Sequence, residues 1–210
     1  MRILIADDHS IVRRGLQQII ATRPDWRVAA EASTPEDVLA ELRRGPVDVL
    51  VLDVSLGGGR SGIDLLGQIR QEFPSVPILM LSMHPEEQYA IRCLRAGASG
   101  YIQKDSSPDQ LIQAIERVAG GRTSISDAIA DRLATDLTRR GPSGQPHERL
   151  STREFEVFRL IAAGKTVTEI AEALHLSVKT VSTYRSRILD KTGFRSNAEL
   201  IVYAIHNRLV

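Results

Sequence analysis

Apolar and polar positions follow two regimes along the chain. Up to about residue 120, short apolar runs alternate with amphipathic stretches. The runs end at Ala6, near Glu31, at Asp53, at Ser82 and near Lys104. Val49-Leu50-Val51-Leu52 and Ile78-Leu79-Met80-Leu81 are apolar at every position, the pattern of central parallel strands covered on both faces. Between the runs, the spacing predicts helices near 10–22, 35–44, 62–72, 86–96 and 108–119. Five strand-helix repeats predict an α/β fold with a doubly wound, five-stranded parallel sheet. Such sheets bind ligands at the carboxyl ends of their strands.

Gly120-Gly121 closes the last of these helices, and a short helix is expected near 126–138. Arg139 to His147 is rich in Gly, Pro and Ser and has the character of a flexible linker. From Leu150 onward only helical patterns occur. The expected organisation is an α/β domain over 1–121, a linker with a short helix over 122–147, and a smaller all-α domain over 148–210.

Composition adjusts this picture in three ways. One cysteine, Cys93, excludes an intrachain disulfide and fits a reducing cytoplasm. Met1-Arg2 leads through four apolar residues straight into Asp7-Asp8, too short for a signal-peptide core. No apolar run reaches the ~20 residues that span a membrane, so a cytoplasmic chain is expected. The net charge of +1 hides an asymmetry. Residues 1–120 carry 13 basic and 16 acidic side chains, and residues 150–210 carry 9 and 6. Different partners are expected for the two halves.

The strand ends hold the candidate chemistry. Asp7 and Asp8 follow strand 1, Asp53 strand 3, Ser82 strand 4 and Lys104 strand 5. With strands 1, 3, 4 and 5 adjacent, these side chains converge. Clustered carboxylates repel one another unless a cation lies among them. Oxygen-only ligands favour a hard ion, and Mg²⁺ suits carboxylates, water and phosphate oxygens. Lys104 offers a point charge to a phosphate, and Ser82 a hydroxyl donor. The chemistry this implies is attack of a carboxylate on a phosphoryl group.

These residues, with the segments ILIADDHSIVRRGL, VDVLVLD and RAGASGYIQKD, resemble the receiver domain of two-component systems. The resemblance implies that Asp53 is the phosphoacceptor and Lys104 the phosphate partner. It implies that Asp8 ligates Mg²⁺ directly, assisted by Asp7, with the backbone carbonyl of Ser55 as a further ligand. Ser82 and Tyr101 would form a coupled switch in which the hydroxyl moves in and the ring turns inward. A sensor histidine kinase is the implied partner. Ser55 and His84, two residues beyond Asp53 and Ser82, would flank the phosphoryl group and tune its hydrolysis. An aspartate-nucleophile phosphatase is a weaker reading, because its second acidic residue would fall at Ser55.

Gly57-Gly58-Gly59-Arg60-Ser61-Gly62 satisfies the G-x-G-x-x-G spacing of dinucleotide sites. The loop follows the third strand rather than the first, and Asp53 would crowd a pyrophosphate, so that reading is set aside. Relative to the receiver pattern, Gly57 stands where a proline is usual, and Gly62 comes one residue late.

In the C-terminal part, Ser151 and Glu154 form a capping box, and Gly164 ends the first helix. A second helix spans about 167–174. Ser177 caps a third that runs to about Lys191, and a last helix covers about 196–208. Two short helices joined by a tight turn match a helix-turn-helix, whose second helix enters the major groove. Val178, Val181, Ile188 and Leu189 are expected to face the core. The segment from Leu150 to Gly193 resembles the LuxR-type helix-turn-helix. With the receiver it is similar to the NarL/FixJ family of response regulators, which implies double-stranded DNA as a partner. By that resemblance Lys179, Thr180, Tyr184, Arg187 and Lys191 would contact phosphates. Ser182, Thr183 and Ser186 would face bases, and the last helix would form a homodimer. Val167-Thr168 and Ser182 depart from the usual Asn-Lys and Lys of relatives. Arg185 and Arg195 are assigned to a solvated face.

Overall fold

Five parallel strands lie in the order β2-β1-β3-β4-β5. They are β1 (Arg2–Ala6), β2 (Arg27–Ala32), β3 (Val49–Asp53), β4 (Ile78–Ser82) and β5 (Gly100–Gln103). The chain is described by a computed structural model, which covers residues 1–56, 62–138, 145–207 and 209–210. All five residues of β3 and of β4 are buried, as their unbroken apolar runs require, whereas the edge strand β2 alternates. Helices α1 (Ser10–Ala21) and α5 (Pro108–Ala119) cover one face. There Leu16, Ile20, Leu111, Ile115 and Val118 pack on Ile3, Ile5, Val49, Val51, Leu79 and Leu81. The other helices of the sheet are α2 (Pro35–Arg44), α3 (Gly62–Glu72) and α4 (Glu86–Arg95).

Helix starts follow side-chain chemistry. Thr34 and Ser107 each close a capping box, and Pro35 and Pro108 occupy the first helical position, where no backbone N–H is needed. At the far edge of the sheet, the chain after α5 returns to β5. Tyr101 N–H donates to Ser124 O at 2.9 Å, and Ser124 N–H donates to Ser99 O at 3.1 Å. This single bridge covers part of the β5 edge. Gly100 is required there, since a Cβ would lie 2.8 Å from Ser124 O.

Helix α6 (Asp127–Thr138) packs on α4, and Glu86 accepts a hydrogen bond from Ser126 N–H at 2.9 Å. The chain divides into units Met1–Arg139 and Arg140–Val210. The first unit is therefore longer than the 1–121 expected. Backbone pairing at Ser124 and the α4–α6 contact draw most of the expected 122–147 linker into it. Part of that linker, 139–144, lies outside the described residues.

The second unit opens with a 3-10 turn, Pro146–Arg149, whose His147 is buried. Helices α7 (Thr152–Ala162), α8 (Val167–Ala173), α9 (Val178–Thr192) and α10 (Asn197–His206) follow. Ser151, Thr166, Ser177 and Ser196 cap them in turn. Gly193, at φ 78°, takes the left-handed conformation that ends α9. Phe155, Val157, Phe158, Ile170, Val181, Ile188 and Leu200 form the core. Val178, expected inside, is 50% exposed. It is the first residue of α9, directly after the cap.

Candidate functional site

The strand order sets β1, β3, β4 and β5 side by side, so their carboxyl ends meet. Asp7, Asp53 and Ser82 are fully buried there. Lys104 reaches across them with only 8% of its side chain exposed. Its Nζ lies 2.7 Å from Asp7 Oδ2 and 2.9 Å from Asp53 Oδ2. Asp53 Oδ1 accepts from Ser55 N–H at 3.2 Å. Gly62 N–H donates to Val54 O at 2.8 Å, which folds the start of α3 against the end of β3. A Cβ on Gly62 would lie 2.0 Å from the Asp53 carbonyl oxygen, so the late glycine is a steric requirement. Residues 57–61 of the glycine loop lie outside the described residues.

Burial dominates the electrostatics. It raises the Asp53 carboxyl above the ordinary range, against the attraction of Lys104 and with help from the negative charge of Asp7. For Lys104, burial works to remove the proton, but Asp53 and Asp7 outweigh it and hold the ammonium charged. Asp7 Oδ2 and Asp53 Oδ2 are buried and have no hydrogen bond of good geometry beyond this ion pairing. The Asp8 side chain is one-third exposed beside them. Ligand atoms of Asp7, Asp8, His9 and Asp53 all lie within 4.8 Å of one another. Under-satisfied carboxylate oxygens on a partly open rim fit a divalent cation.

His9 was not among the residues expected from the sequence. Its backbone N–H donates to Asp7 Oδ1 at 2.8 Å. Its Nδ1 lies 2.8 Å from Asp8 Oδ1 and 3.2 Å from Asp7 Oδ1. Adjacency to Asp7-Asp8 was the available signal.

Around β4 and β5 a second set of contacts forms. Ser82 Oγ accepts from His84 N–H at 3.0 Å, and the Tyr101 hydroxyl donates to His84 O at 2.8 Å. The Tyr101 ring is buried, and burial pushes its phenol far above the ordinary value despite a hydrogen bond with Ser82. The His84 ring lies flat on buried Tyr89, centroids 4.4 Å apart. The geometry thus joins Asp7, Asp53 and Lys104 directly and puts Ser82 and Tyr101 in one hydrogen-bonded group.

In the second unit, Lys179, Ser182, Thr183, Ser186 and Arg187 form an exposed face of α9, with Thr180 and Tyr184 half-buried at its margin. The hydroxyls of Ser182, Thr183 and Ser186 donate to carbonyls one turn back, those of Val178, Lys179 and Ser182. Thr180 is bonded to the cap Ser177. Lys191 differs from the other expected contacts. Its Nζ is paired with Glu154 Oε2 at 2.7 Å, and Glu154 is buried. Arg185 is bonded to Asn197 at 2.8 Å. On α10, Val202 and Ile205 are 63% and 62% exposed.

A buried, lysine-bridged acidic pocket at the carboxyl end of a parallel sheet, followed by a helix-turn-helix, defines a response regulator. The response regulator receiver domain matches residues 3–116, and the luxR family of bacterial regulatory proteins matches residues 148–204. The oxygen regulatory protein NreC of Staphylococcus epidermidis is 36% identical over 216 residues, covering 100% of this chain and 99% of that one. A LuxR-family two-component response regulator from Aurantimonas is 38% identical, with a TM-score of 0.59 over 66% of this chain and 98% of the other. RcsB from Salmonella enterica serovar Typhimurium, bound to the promoter rprA with the phosphomimetic BeF3-, is 29% identical. Its TM-score is 0.65, over 97% of each chain. The chain belongs to the NarL/FixJ family of two-component response regulators, with a receiver domain and a LuxR-type DNA-binding domain. It is a DNA-binding regulator rather than an enzyme of conventional kind. Among the described residues no helix is long and apolar enough to cross a membrane.

Proposed function

We propose that Asp53 accepts a phosphoryl group from a phosphohistidine of a sensor kinase, and that the aspartyl-phosphate controls DNA binding by the second unit. The observation that carries this is Lys104, whose ammonium lies within 3 Å of both Asp53 and Asp7 in a buried pocket. An Asp53 oxygen attacks phosphorus and forms the new P–O bond. The P–N bond to the donor imidazole breaks, and its electron pair stays on that nitrogen. Lys104 is placed to neutralise a phosphoryl oxygen, and its interaction with Asp53 aims the carboxylate. Mg²⁺, when bound by Asp8, Asp7, Asp53 and the Ser55 carbonyl, would offset charge on the phosphoryl oxygens.

Ser82 would donate its hydroxyl to the phosphoryl group and give up its bond from His84 N–H. Tyr101, bonded to the His84 carbonyl, is then the readout of where that loop lies. The same pocket supports slow autophosphorylation and autodephosphorylation, with Ser55 and His84 as residues that tune the latter. Lys179, Thr180, Tyr184 and Arg187 would meet DNA phosphates, and Ser182, Thr183 and Ser186 base edges. Those three hydroxyls keep a lone pair free while donating to their own helix. Lys191 joins them only by leaving Glu154. The exposed Val202 and Ile205 of α10 suit a homodimer on paired half-sites. A cytoplasmic location follows from a kinase donor and a DNA target.

Labelling with acetyl phosphate and Mg²⁺, followed by footprinting on promoter DNA, tests both halves. The expected result is incorporation that vanishes in Asp53→Ala, with protection of DNA that strengthens on phosphorylation. Undiminished labelling of the variant would overturn the assignment.

A further inference from the structure

We infer that His147 is a positioning residue of the second unit. It couples the chain that enters from the receiver to Tyr203 of α10, and through Tyr203 to the apolar face on which a second copy would dock. The inference rests on the proposed phosphorylation-controlled, dimeric DNA binding and names a route for that control.

The sequence pattern ends the linker at His147, but the structure buries that side chain to 6% exposure. Its Nδ1 lies 2.8 Å from the Tyr203 hydroxyl, 56 residues further along the chain. The imidazole also packs tilted against Phe155 of α7, with centroids 5.8 Å apart. Burial raises the Tyr203 phenol, and a hydrogen bond from the His147 backbone works against that rise. Main chain and ring of one residue thus address a single phenol. An oxygen that accepts from the backbone N–H has its own hydrogen left for Nδ1. The turn Pro146–Arg149 rests against α9 as well. A displacement of the entering chain therefore reaches both the helix expected in the groove of DNA and the helix expected at the dimer face.

Tyr203 stands between this turn and the outer face of α10. Its ring packs tilted on Phe194, with centroids 4.9 Å apart. With Phe194, Ala198, Val202 and His206 it lines a groove of about 640 Å³. Val202 of that lining is 63% exposed. An apolar ring at position 147 would fill the same space against Phe155. What the imidazole adds is direction, because a hydrogen bond fixes distance and angle where packing fixes only proximity. A shift of the turn must carry Tyr203 with it or break the bond, and either outcome reshapes the groove.

The test measures binding of the full chain to the duplex it selects from a random-sequence library, with and without acetyl phosphate and Mg²⁺. The unmodified chain should bind more tightly when phosphorylated. His147→Phe keeps a ring and loses the nitrogen, and Tyr203→Phe loses only the hydroxyl. Each should cut the gain about three- to tenfold, the free energy of one hydrogen bond, and the double variant should cut it no further. His147→Asn, whose amide can take the place of Nδ1, should keep most of the gain. Labelling of Asp53 should be the same in every variant. An undiminished gain in His147→Phe would overturn the inference. So would a loss in His147→Asn as large as in His147→Phe, or affinity lost equally in both states, the mark of a purely structural role. No gain in the unmodified chain would instead overturn the phosphorylation reading beneath it.

Discussion

Tyr101 donates its hydroxyl hydrogen bond to the backbone carbonyl of His84 at 2.8 Å, and so ties β5 to the loop that follows Ser82. The ring is buried. His84 O also lies 3.4 Å from Gln103 Nε2 and keeps a partner if the phenol is lost. Tyr101→Phe should therefore cost only about 0.5–1 kcal/mol in urea unfolding. Tyr101→Ala, which empties a core position, should cost about 3–5 kcal/mol. If the phenol transmits the state of the loop, Tyr101→Phe will incorporate phosphate normally but gain less DNA affinity on phosphorylation.

Asp53 gives a pH signature. Burial raises its carboxyl, so the metal-free folded chain holds this proton to higher pH than the unfolded chain does. Its contribution to stability is full below the unfolded value of ~3.9 and is lost as pH rises through the folded value. In EDTA, Asp53→Asn should raise the melting temperature at neutral pH, and the gain should shrink toward acid pH. Added Mg²⁺ should narrow the neutral-pH difference by stabilising the unmodified chain. Thermal melts over pH with and without Mg²⁺ check both signs.

Gly62 and Gly67 lie five residues apart on α3 and should respond oppositely to alanine. A Cβ at Gly62 meets the Asp53 carbonyl oxygen at 2.0 Å, whereas one at Gly67 meets nothing within 4 Å. Gly62→Ala should destabilise by about 1–3 kcal/mol and slow phosphoryl uptake, because the displaced backbone is that of the acceptor residue. Gly67→Ala, in an exposed helix interior, should stabilise by about 0.5–1 kcal/mol and leave uptake unchanged. Chemical denaturation and acetyl phosphate labelling of the two variants separate these outcomes.

What was legible in the sequence depended on whether side chains or backbone carried the information. Uniform apolar runs placed β3 and β4, and the strand order then brought Asp7, Asp53 and Lys104 together. Ser151, Glu154 and Ser177 announced their caps because capping is local. The pairing of Ser124 with β5 uses main-chain atoms, which leave no apolar pattern, so α6 was read as part of a linker. His9 was hidden for a related reason: its significance lies in its distance from two carboxylates, and spacing along the chain is silent about ring direction. The family resemblance grouped Lys191 with the DNA contacts, but Glu154, 37 residues away, pairs with its ammonium.

That pairing divides the basic residues of α9 into two kinds. Glu154 is buried, and burial works to raise its carboxyl. The bonds from Lys191 and Ser151 outweigh this and hold it below the ordinary range. Its stabilising contribution is thus present above the unfolded value of ~4.3 and is lost as pH falls through the folded one. Lys191→Ala leaves the carboxylate with its capping bonds alone. Since the lysine is 44% exposed and screened by water, the cost should be about 1–2 kcal/mol rather than that of a fully buried pair. Lys179→Ala, on the exposed face, should leave stability within about 0.5 kcal/mol and reduce the salt slope of DNA binding by about one. Melting curves and salt-dependent DNA titrations of the two variants decide the matter. A lysine that only anchors α9 lowers the melting temperature without changing the salt slope, and one that also meets phosphate changes both.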